Sequence, residues 1–270
     1  MLTPAAVTPS AAPDPFFAGV EPTPVRVVHE GRQYELALPL RYHDWTLMFA
    51  NFPAPTRRVR EVLPSPKLVP VEIVPGLSVV TLVAFAHKQV DGLAPYNEIA
   101  VMMPVRCQPR WNVPLLPLLF PQRFPDLGFW VEHLPVTTVE ACDAGIALWG
   151  FPKVVHEITF EERDGVRRCR WSDGGTEIMV FEMRVPSRFT SRRIDFVAYP
   201  RQAGTLGRTL FQTKAPYFET RWPGGATFRL GDGEIARRLR RLGMWRFAIG
   251  RLFAPSGLSM LHGPSERIPV

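Results

Sequence analysis

Proline is the residue type that most restricts how this chain can fold. The sequence of 270 residues contains 29 prolines, and they are spread widely along it. Because proline lacks a backbone N–H and breaks helix interiors, this distribution favours many short strands and loops over long helices. Apolar residues make up 46% and charged residues 21% of the chain, which is typical of a globular protein with its own core.

Apolar runs with strand-like periodicity recur along the sequence and predict an antiparallel, β-rich α+β fold. We expect about nine or ten strands and about three short helices. The predicted strands are 25–29, 34–40, 77–86, 98–105, 128–134, 154–162, 166–171, 177–185, 208–213 and 226–230. The run 77–86 is continuously apolar, so it should be a central strand buried on both faces. In 128–134, alternation places Phe129, Val131 and His133 on one face.

The three helices are predicted from capping signals and apolar periodicity. They cover 56–63, 139–149 and 234–242. Thr56 is the expected N-cap of the first helix. Thr137 and Glu140 match a capping box that opens the second, which should end at Gly150. Gly243 is the expected C-terminal cap of the third.

Residues 1–23 are rich in Pro, Ala and Thr and predict a flexible tail before a single domain over 24–270. Phe16 and Phe17 in this tail are candidates for docking on a neighbouring subunit. The N-terminus has no charged region followed by an apolar core, so no signal peptide is expected. No apolar run reaches about 18 residues, so no transmembrane helix is expected.

Cysteine usage and net charge indicate the cellular compartment and the kinds of partner to expect. Cys107, Cys142 and Cys169 are an odd number without C-x-x-C spacing, which indicates free thiols in a reducing, cytoplasmic compartment. The net charge of +7 comes largely from arginines after residue 160, which we interpret as solvated faces rather than a nucleic-acid or membrane site. Segment 236–253 alternates arginines with apolar residues. It fits a surface helix packed on the domain, or a segment lying on an anionic surface.

The Pro-rich segment 106–126 predicts a long irregular loop, either a lid that sets substrate size or a subunit contact. Metal and cofactor sites are not expected. His87, His133 and His156 lack the spacing of metal ligands, and no phosphate-binding or dinucleotide-binding motif is present.

The sequence 149–153, Trp-Gly-Phe-Pro-Lys, carries the chemistry that stands out most in this chain. Its lysine, Lys153, lies in an apolar run, and lysines are rarely buried without a role. Apolar surroundings disfavour the charged form of an amine, and a neutral amine can form a Schiff base with a ketone or aldehyde. The alternative is that Lys153 lies at a strand edge and extends its amine into water.

Gly150-Phe151-Pro152-Lys153 resembles the G-x-P-K-K lysine motif of the acetoacetate decarboxylase family. Upstream, Tyr96-Asn97-Glu98 is similar to the family's Tyr-x-Glu segment, which supplies an acid to the same pocket. His87 is similar to a histidine on the preceding family strand, and Arg32 lies in a segment similar to an Arg-containing family segment. The resemblance implies a closed, cone-like β-barrel with the lysine projecting into its interior, and a homo-oligomer.

The resemblance also assigns roles. It implies that Lys153 is the nucleophile and Glu98 the proton shuttle, with Tyr96, His87 and Arg32 binding substrate. The residues flanking the lysine are expected to line the same pocket. These are Trp149, Phe151 and Val154.

The chain departs from the family pattern at three places. Val154 stands where the family has a second lysine, and Ile146 and Ala147 stand where it often has Arg-Glu. A further family glutamate would fall near Thr81, where this chain has no acid. Two functions remain open. One is a lysine Schiff-base enzyme that decarboxylates a keto acid or runs aldol or dehydration chemistry on a carbonyl compound; the other is a non-catalytic protein that binds an apolar carbonyl ligand. For the enzyme, the departures predict poor acetoacetate decarboxylation and a larger, more apolar carbonyl substrate.

Overall fold

The computed structural model describes residues 14–270 and shows a mainly antiparallel β fold with few short helices. Nineteen strands lie within this range. They are β1 (Thr23–His29), β2 (Arg32–Leu38), β3 (Leu40–Pro55), β4 (Leu68–Pro70), β5 (Glu72–Val74), β6 (Leu77–Val90), β7 (Tyr96–Cys107), β8 (Leu127–Val136), β9 (Lys153–Val155), β10 (Glu157–Arg163), β11 (Val166–Asp173), β12 (Thr176–Arg184), β13 (Phe189–Ala198), β14 (Arg201–Gln202), β15 (Thr205–Thr220), β16 (Ala226–Leu230), β17 (Gly250–Ala254), β18 (Leu258–Leu261) and β19 (Glu266–Pro269).

Helical structure is confined to short segments between strands. The α-helices of the described residues are α1 (Thr56–Val62), α2 (Leu116–Leu119), α3 (Val139–Ala144) and α4 (Glu234–Arg241). A π-helical turn, Gly145–Trp149, follows α3 directly, and 3-10 turns form at Pro15–Phe17 and Pro121–Arg123. No helix within residues 14–270 is long and apolar enough to cross a membrane.

The main sheet is built on β3, which pairs antiparallel with β6 from Tyr42 opposite Val90 to Pro55 opposite Leu77. The pairings continue through β7, β8, β13 and β15, and return to β3 through β17 and β18. Between β8 and β13 a single parallel contact joins Phe129 to Ala198. A second sheet has the order β10-β11-β12-β16, and β1 and β2 form a separate hairpin.

Two apolar cores lie on opposite faces of the main strands, as β6 shows. Leu82 and Ala84 pack into the core shared with the second sheet, whereas Val83 and Phe85 pack into the other core. Successive residues of a strand point to opposite faces, so the continuous apolar run fills both cores. The prediction of a strand buried on both faces is confirmed.

The predicted strands are all present, most of them longer than expected, but the predicted number of nine or ten was wrong because eight strands were missed. The missed strands are β3, β4, β5, β13, β14, β17, β18 and β19, of which β3 and β13 are the longest. In β3, Asp44 interrupts the apolar pattern at a bulge, and Asn51 and two prolines follow. In β13, charged side chains such as Arg193 and Asp195 hide the apolar alternation. Predicted strand 154–162 is divided at His156 into β9 and β10.

The face assignment within β8 was wrong because the strand contains an irregularity. His133 pairs with Val101 but Val131 pairs with Met102, so Glu132 is an extra residue in the ladder. Val131 therefore packs in the core near Phe85, while His133 lies 6.0 Å from the ring of Trp171 in the second sheet.

The helix ends differ from the sequence prediction in their caps. Thr56 is the first helical residue of α1 rather than its N-cap, and its hydroxyl hydrogen-bonds to Ser78 over 2.8 Å. The capping box at the second helix is also absent, because the Thr137 hydroxyl accepts the backbone N–H of Asn97 instead. The ends at Gly150 and Gly243 are confirmed, since both glycines adopt positive φ.

The N-terminal segment, residues 1–23, was predicted to be a flexible tail. Residues 1–13 of the predicted tail lie outside the described residues. Phe17, which was a candidate for docking on a neighbouring subunit, is buried against its own chain, with its ring 4.9 Å from that of His43 and beneath the Arg41 guanidinium. In segment 236–253, α4 buries Ala236 and Leu239 as a surface helix should, but the chain then turns and continues as β17.

Candidate active site

Four successive paired strands, β6, β7, β8 and β9, bring the predicted site residues together. Lys153 is the first residue of β9 and pairs with Leu134 of β8. Glu98 lies on β7, which pairs with β8 on one side and with β6, the strand of His87, on the other. Tyr96 and Glu98 are two residues apart on β7 and so point to the same face. Strand pairing thus places Lys153 beside Glu98, although the two residues are 55 positions apart in the sequence.

The Lys153 amine donates a hydrogen bond to Glu98, with 2.8 Å between Nζ and Oε2. The side chain of Lys153 is 7% exposed and that of Glu98 13%. The pair is therefore largely removed from water, and the alternative of a solvent-facing lysine is wrong. The amine is also not isolated in an apolar pocket, because a carboxylate accompanies it.

The electrostatics of Glu98 reflect its two partners. Burial alone raises the pKa of Glu98, but the nearby Lys153 charge and the His87 ring outweigh burial and lower this pKa to about 2. Glu98 is thus ionised at neutral pH and accepts the hydrogen bond of the Lys153 amine.

His87 is 4% exposed, and its Nε2 lies 3.9 Å from Oε1 of Glu98. Burial lowers the pKa of His87, which favours a neutral ring. The nitrogen that faces a carboxylate carries the proton of a neutral imidazole, so Nδ1 is left as an acceptor. Within residues 14–270 this buried Nδ1 has no hydrogen-bond partner, so it can receive a donor from a bound molecule.

Aromatic rings surround this group. Phe85 stacks on His87 with ring centroids 4.9 Å apart, and the Tyr96 ring lies 5.5 Å from the Lys153 amine. The hydroxyls of Tyr42 and Tyr96 are 3.3 Å apart. Burial raises the pKa of both tyrosines, so each keeps its proton and can donate it in a hydrogen bond.

Sequence reasoning missed Tyr42 and Phe85. Phe85 carried a signal, because it lies two residues before His87 on the same predicted strand and so shares its face. Tyr42 carried none, because its strand β3 was not predicted and the residue is 54 positions from Tyr96.

The π-helical turn after α3 delivers the lysine motif, and its first residue must be small. A Cβ atom placed on the buried Gly145 would lie 2.3 Å from Cδ and 2.5 Å from Cε of Lys153. Such separations do not occur between unbonded carbon atoms, so the lysine stem occupies the space that a side chain at position 145 would fill. Gly150 ends the turn with φ of 75° and allows the chain to enter β9.

We expect Gly145→Ala to move the Lys153 amine away from Glu98. The added methyl collides with the lysine stem, whose displacement should lower turnover by about a hundredfold or more, since small misplacements of a reacting group have effects of this size. The measurement is kcat beside the thermal unfolding midpoint. Gly233→Ala, at a glycine that also has a negative φ and where an added Cβ would meet its nearest atom at an ordinary 3.7 Å, is the matched control. Full turnover in folded Gly145→Ala would contradict the proposed lysine path.

The other motif residues divide between the site and its surroundings. Trp149 and Phe151 are buried in the same core as Tyr96, and the Trp149 indole N–H donates to the His262 carbonyl over 2.7 Å. Val154 is 40% exposed, and in a strand it points away from the face of Lys153. A lysine at position 154 would therefore place its ammonium toward solvent, and the structure does not bring Val154 into the site.

The structure does not leave Arg32 free to bind substrate. Its guanidinium bonds to the buried carboxylate of Asp143 on α3 with a 2.6 Å contact, which lowers the pKa of Asp143. Arg106 is likewise paired with Asp126 over 2.7 Å. Neither arginine is available to a substrate carboxylate without first breaking an ion pair.

Segment 106–126 is largely irregular, as predicted, apart from α2 and the 3-10 turn beside it. It exposes large apolar side chains, including Trp111 at 77%, Leu116 at 45% and Phe120 at 43%. Whether these residues cover the site or contact another subunit stays a prediction.

The sequence matches the protein-family model of acetoacetate decarboxylase over residues 23–263. The chain belongs to the acetoacetate decarboxylase family. This membership agrees with the resemblance seen in the motif. No sequence match was found among curated proteins.

Solved structures of the family share the fold at low sequence identity. An acetoacetate decarboxylase is 16% identical with a TM-score of 0.59, covering 86% of this chain and 89% of its own. The acetoacetate decarboxylase of Legionella pneumophila is 15% identical with a TM-score of 0.57, covering 85% and 88%. The enduracididine biosynthesis enzyme MppR, complexed with pyruvate, is 12% identical with a TM-score of 0.58, covering 93% of each chain. These values describe a divergent member of the family.

Proposed function

We propose that this protein is a Schiff-base enzyme in which Lys153 attacks the carbonyl carbon of its substrate. The observation that carries the proposal is the buried hydrogen bond of 2.8 Å between the Lys153 amine and Glu98. A protein that only binds an apolar ligand gains nothing from a buried amine with a proton acceptor attached.

The pair supplies both proton transfers that the reaction needs. Glu98 first accepts a proton from Nζ, which leaves a neutral amine that bonds to the carbonyl carbon and gives a carbinolamine. In forming the neutral carbinolamine, the former carbonyl oxygen takes a second proton from the same nitrogen. Glu98 then returns the first proton to this hydroxyl, the C–O bond breaks, the oxygen leaves as water and the iminium remains. The iminium then accepts the electron pair of a breaking C–C or C–H bond, which serves decarboxylation, aldol cleavage and dehydration alike.

The surroundings favour an apolar, uncharged carbonyl substrate. Phe85, Tyr42 and Tyr96 present aromatic surface around the pair, whereas Arg32 and Arg106 are held by carboxylates of the protein. The related MppR structure with the condensation product of pyruvate and imidazole 4-carboxaldehyde supports carbonyl condensation as a chemistry compatible with this fold. We place this chain on the aldol or dehydration branch rather than with efficient acetoacetate decarboxylases.

The same proposal includes the wider architecture. The strand pairings that leave β3 through β6 and return to it through β18 support a closed, cone-like barrel with Lys153 inside it. The exposed apolar side chains of segment 106–126 support a homo-oligomer. The three free cysteines support a cytoplasmic location.

Borohydride trapping tests the proposed function. Wild-type protein is incubated separately with each member of a panel of keto acids, ketones and aryl or alkyl aldehydes. Each mixture is reduced with borohydride, and the mass of the intact protein is measured by mass spectrometry. We expect an adduct on Lys153 with the apolar members of the panel. An adduct on Lys67 or Lys214, or none with any carbonyl compound, would leave the binding-protein alternative in place.

Acetoacetate is expected to be a poor substrate. We predict that carbon dioxide release from acetoacetate will be at least about a hundredfold slower than turnover of the best longer carbonyl compound, since the acid lacks a free cationic partner. Val154→Lys should not restore decarboxylation, because its ammonium would face solvent. Efficient acetoacetate decarboxylation by the wild type would refute the substrate assignment.

A further inference from the structure

A groove of about 530 Å³ lies between the edge strand β16, helix α4 and the chain that follows α4. It shares no residue with the candidate active site. Its floor includes Phe228, Leu239 and Met244, and its rim carries the guanidinium groups of three arginines. These are Arg229, Arg240 and Arg246. The volume falls within the range of small-molecule sites, which is about 300–1,000 Å³.

The rim has more positive charge than the neighbouring acids balance. Arg229 contacts Glu177 over 2.7 Å, but the same carboxylate also pairs with Arg170 over 3.1 Å. Arg240 contacts Asp232 over 3.2 Å, and Asp232 is fully exposed. In the part of the chain that the structure describes, Arg246 has no carboxylate within salt-bridge distance.

These pairs leave most guanidinium donors available. Nη2 of Arg240 also donates to the carbonyls of Leu230 and Gly231, but within residues 14–270 its Nε and Nη1 have no hydrogen-bond partner. The side chain of Arg229 is 68% exposed and that of Arg240 is 44% exposed, and solvent-exposed ion pairs contribute little stabilisation. An anion that enters the groove can therefore take up these donors at little cost, and the guanidinium fork suits a carboxylate or a phosphate. The apolar floor adds a second requirement, because a small hydrophilic anion would leave it uncovered.

We propose that this groove binds a single-chain amphiphile, with an anionic head on the arginine rim and an alkyl tail on the apolar floor. The site is separate from Lys153, so its occupancy does not depend on the proposed Schiff-base chemistry. Membrane lipid presents the same head chemistry from a bilayer, but the concave shape and its limited volume favour a monomeric ligand.

Decanoate below its micelle concentration is the probe, titrated into the full chain by calorimetry. Trp245 lies beside two lining residues and is 43% exposed, so its fluorescence gives a second readout. We expect saturable one-site binding of decanoate, and at least about tenfold weaker binding of decanol and of acetate, which lack the head charge and the tail respectively.

The variant Arg240→Gln/Arg246→Gln should weaken decanoate binding by about tenfold or more, since each removes a charge-assisted contact at an exposed position. Arg163→Gln, whose side chain is 92% exposed on the far strand of the second sheet, should bind like the wild type. Equal binding of decanol and decanoate, unchanged affinity in the double variant, or binding to anionic vesicles without binding of monomeric decanoate would each overturn the proposal.

Discussion

Lys153→Arg should abolish the trapped adduct and lower turnover by about 10⁴-fold or more, because arginine keeps the positive charge but has no nucleophilic amine. The guanidinium can still pair with Glu98, so the ion pair and the fold should survive. Intact mass after borohydride treatment measures the loss of the adduct, and circular dichroism of the same sample measures whether the fold survives.

Lys88→Arg is the matched control for this substitution. Lys88 is 45% exposed and pairs with Asp44, so it resembles Lys153 in having a carboxylate partner but not in burial. The Lys88→Arg variant should form the borohydride-trapped adduct and turn over substrate as the wild type does. Retention of the adduct in Lys153→Arg would move the nucleophile to another residue and reject the proposed site.

Glu98→Gln should lower turnover by about 10²–10⁴-fold, the range for loss of a general acid–base group. The amide keeps the shape and a hydrogen bond to Lys153 but cannot carry a proton. A preformed imine should therefore still be reducible after long incubation, which separates slow proton transfer from absent binding. Single-turnover kinetics of Glu98→Gln measure this effect. Glu35→Gln, at an exposed position on β2, is the matched control.

The acid stability of the same variant gives an independent check. The pKa of Glu98 is lowered from about 4.3 in an unfolded chain to about 2 in the fold. Its pairing therefore stabilises the protein above pH about 4.3, and this contribution is lost as the pH falls towards 2. Glu98→Gln should lack this part of the acid transition. Unchanged turnover together with a lost acid transition would give Glu98 a structural role only.

The sequence by itself predicted the residues to which the proposed chemistry is assigned. Lys153 stood out as a lone lysine in an apolar run, and the spacing of Tyr96 and Glu98 fixed their common face once a strand was predicted. Strand β6, with its long apolar run, and strand β16, with its alternating apolar residues, were also predicted within a few residues. Local pattern is sufficient in these cases because one strand period sorts the side chains without reference to partners.

The tertiary structure alone decided which of these residues meet. Tyr42 reaches Tyr96 only because β3 pairs with β6 across a bulge, and Gly145 matters only because the lysine stem passes over it. Arg32 carried the right charge for a substrate site, yet the β1–β2 hairpin places it against Asp143 instead. Strand register and the path of a side chain depend on contacts between distant segments, and a single sequence records the residues but not those contacts.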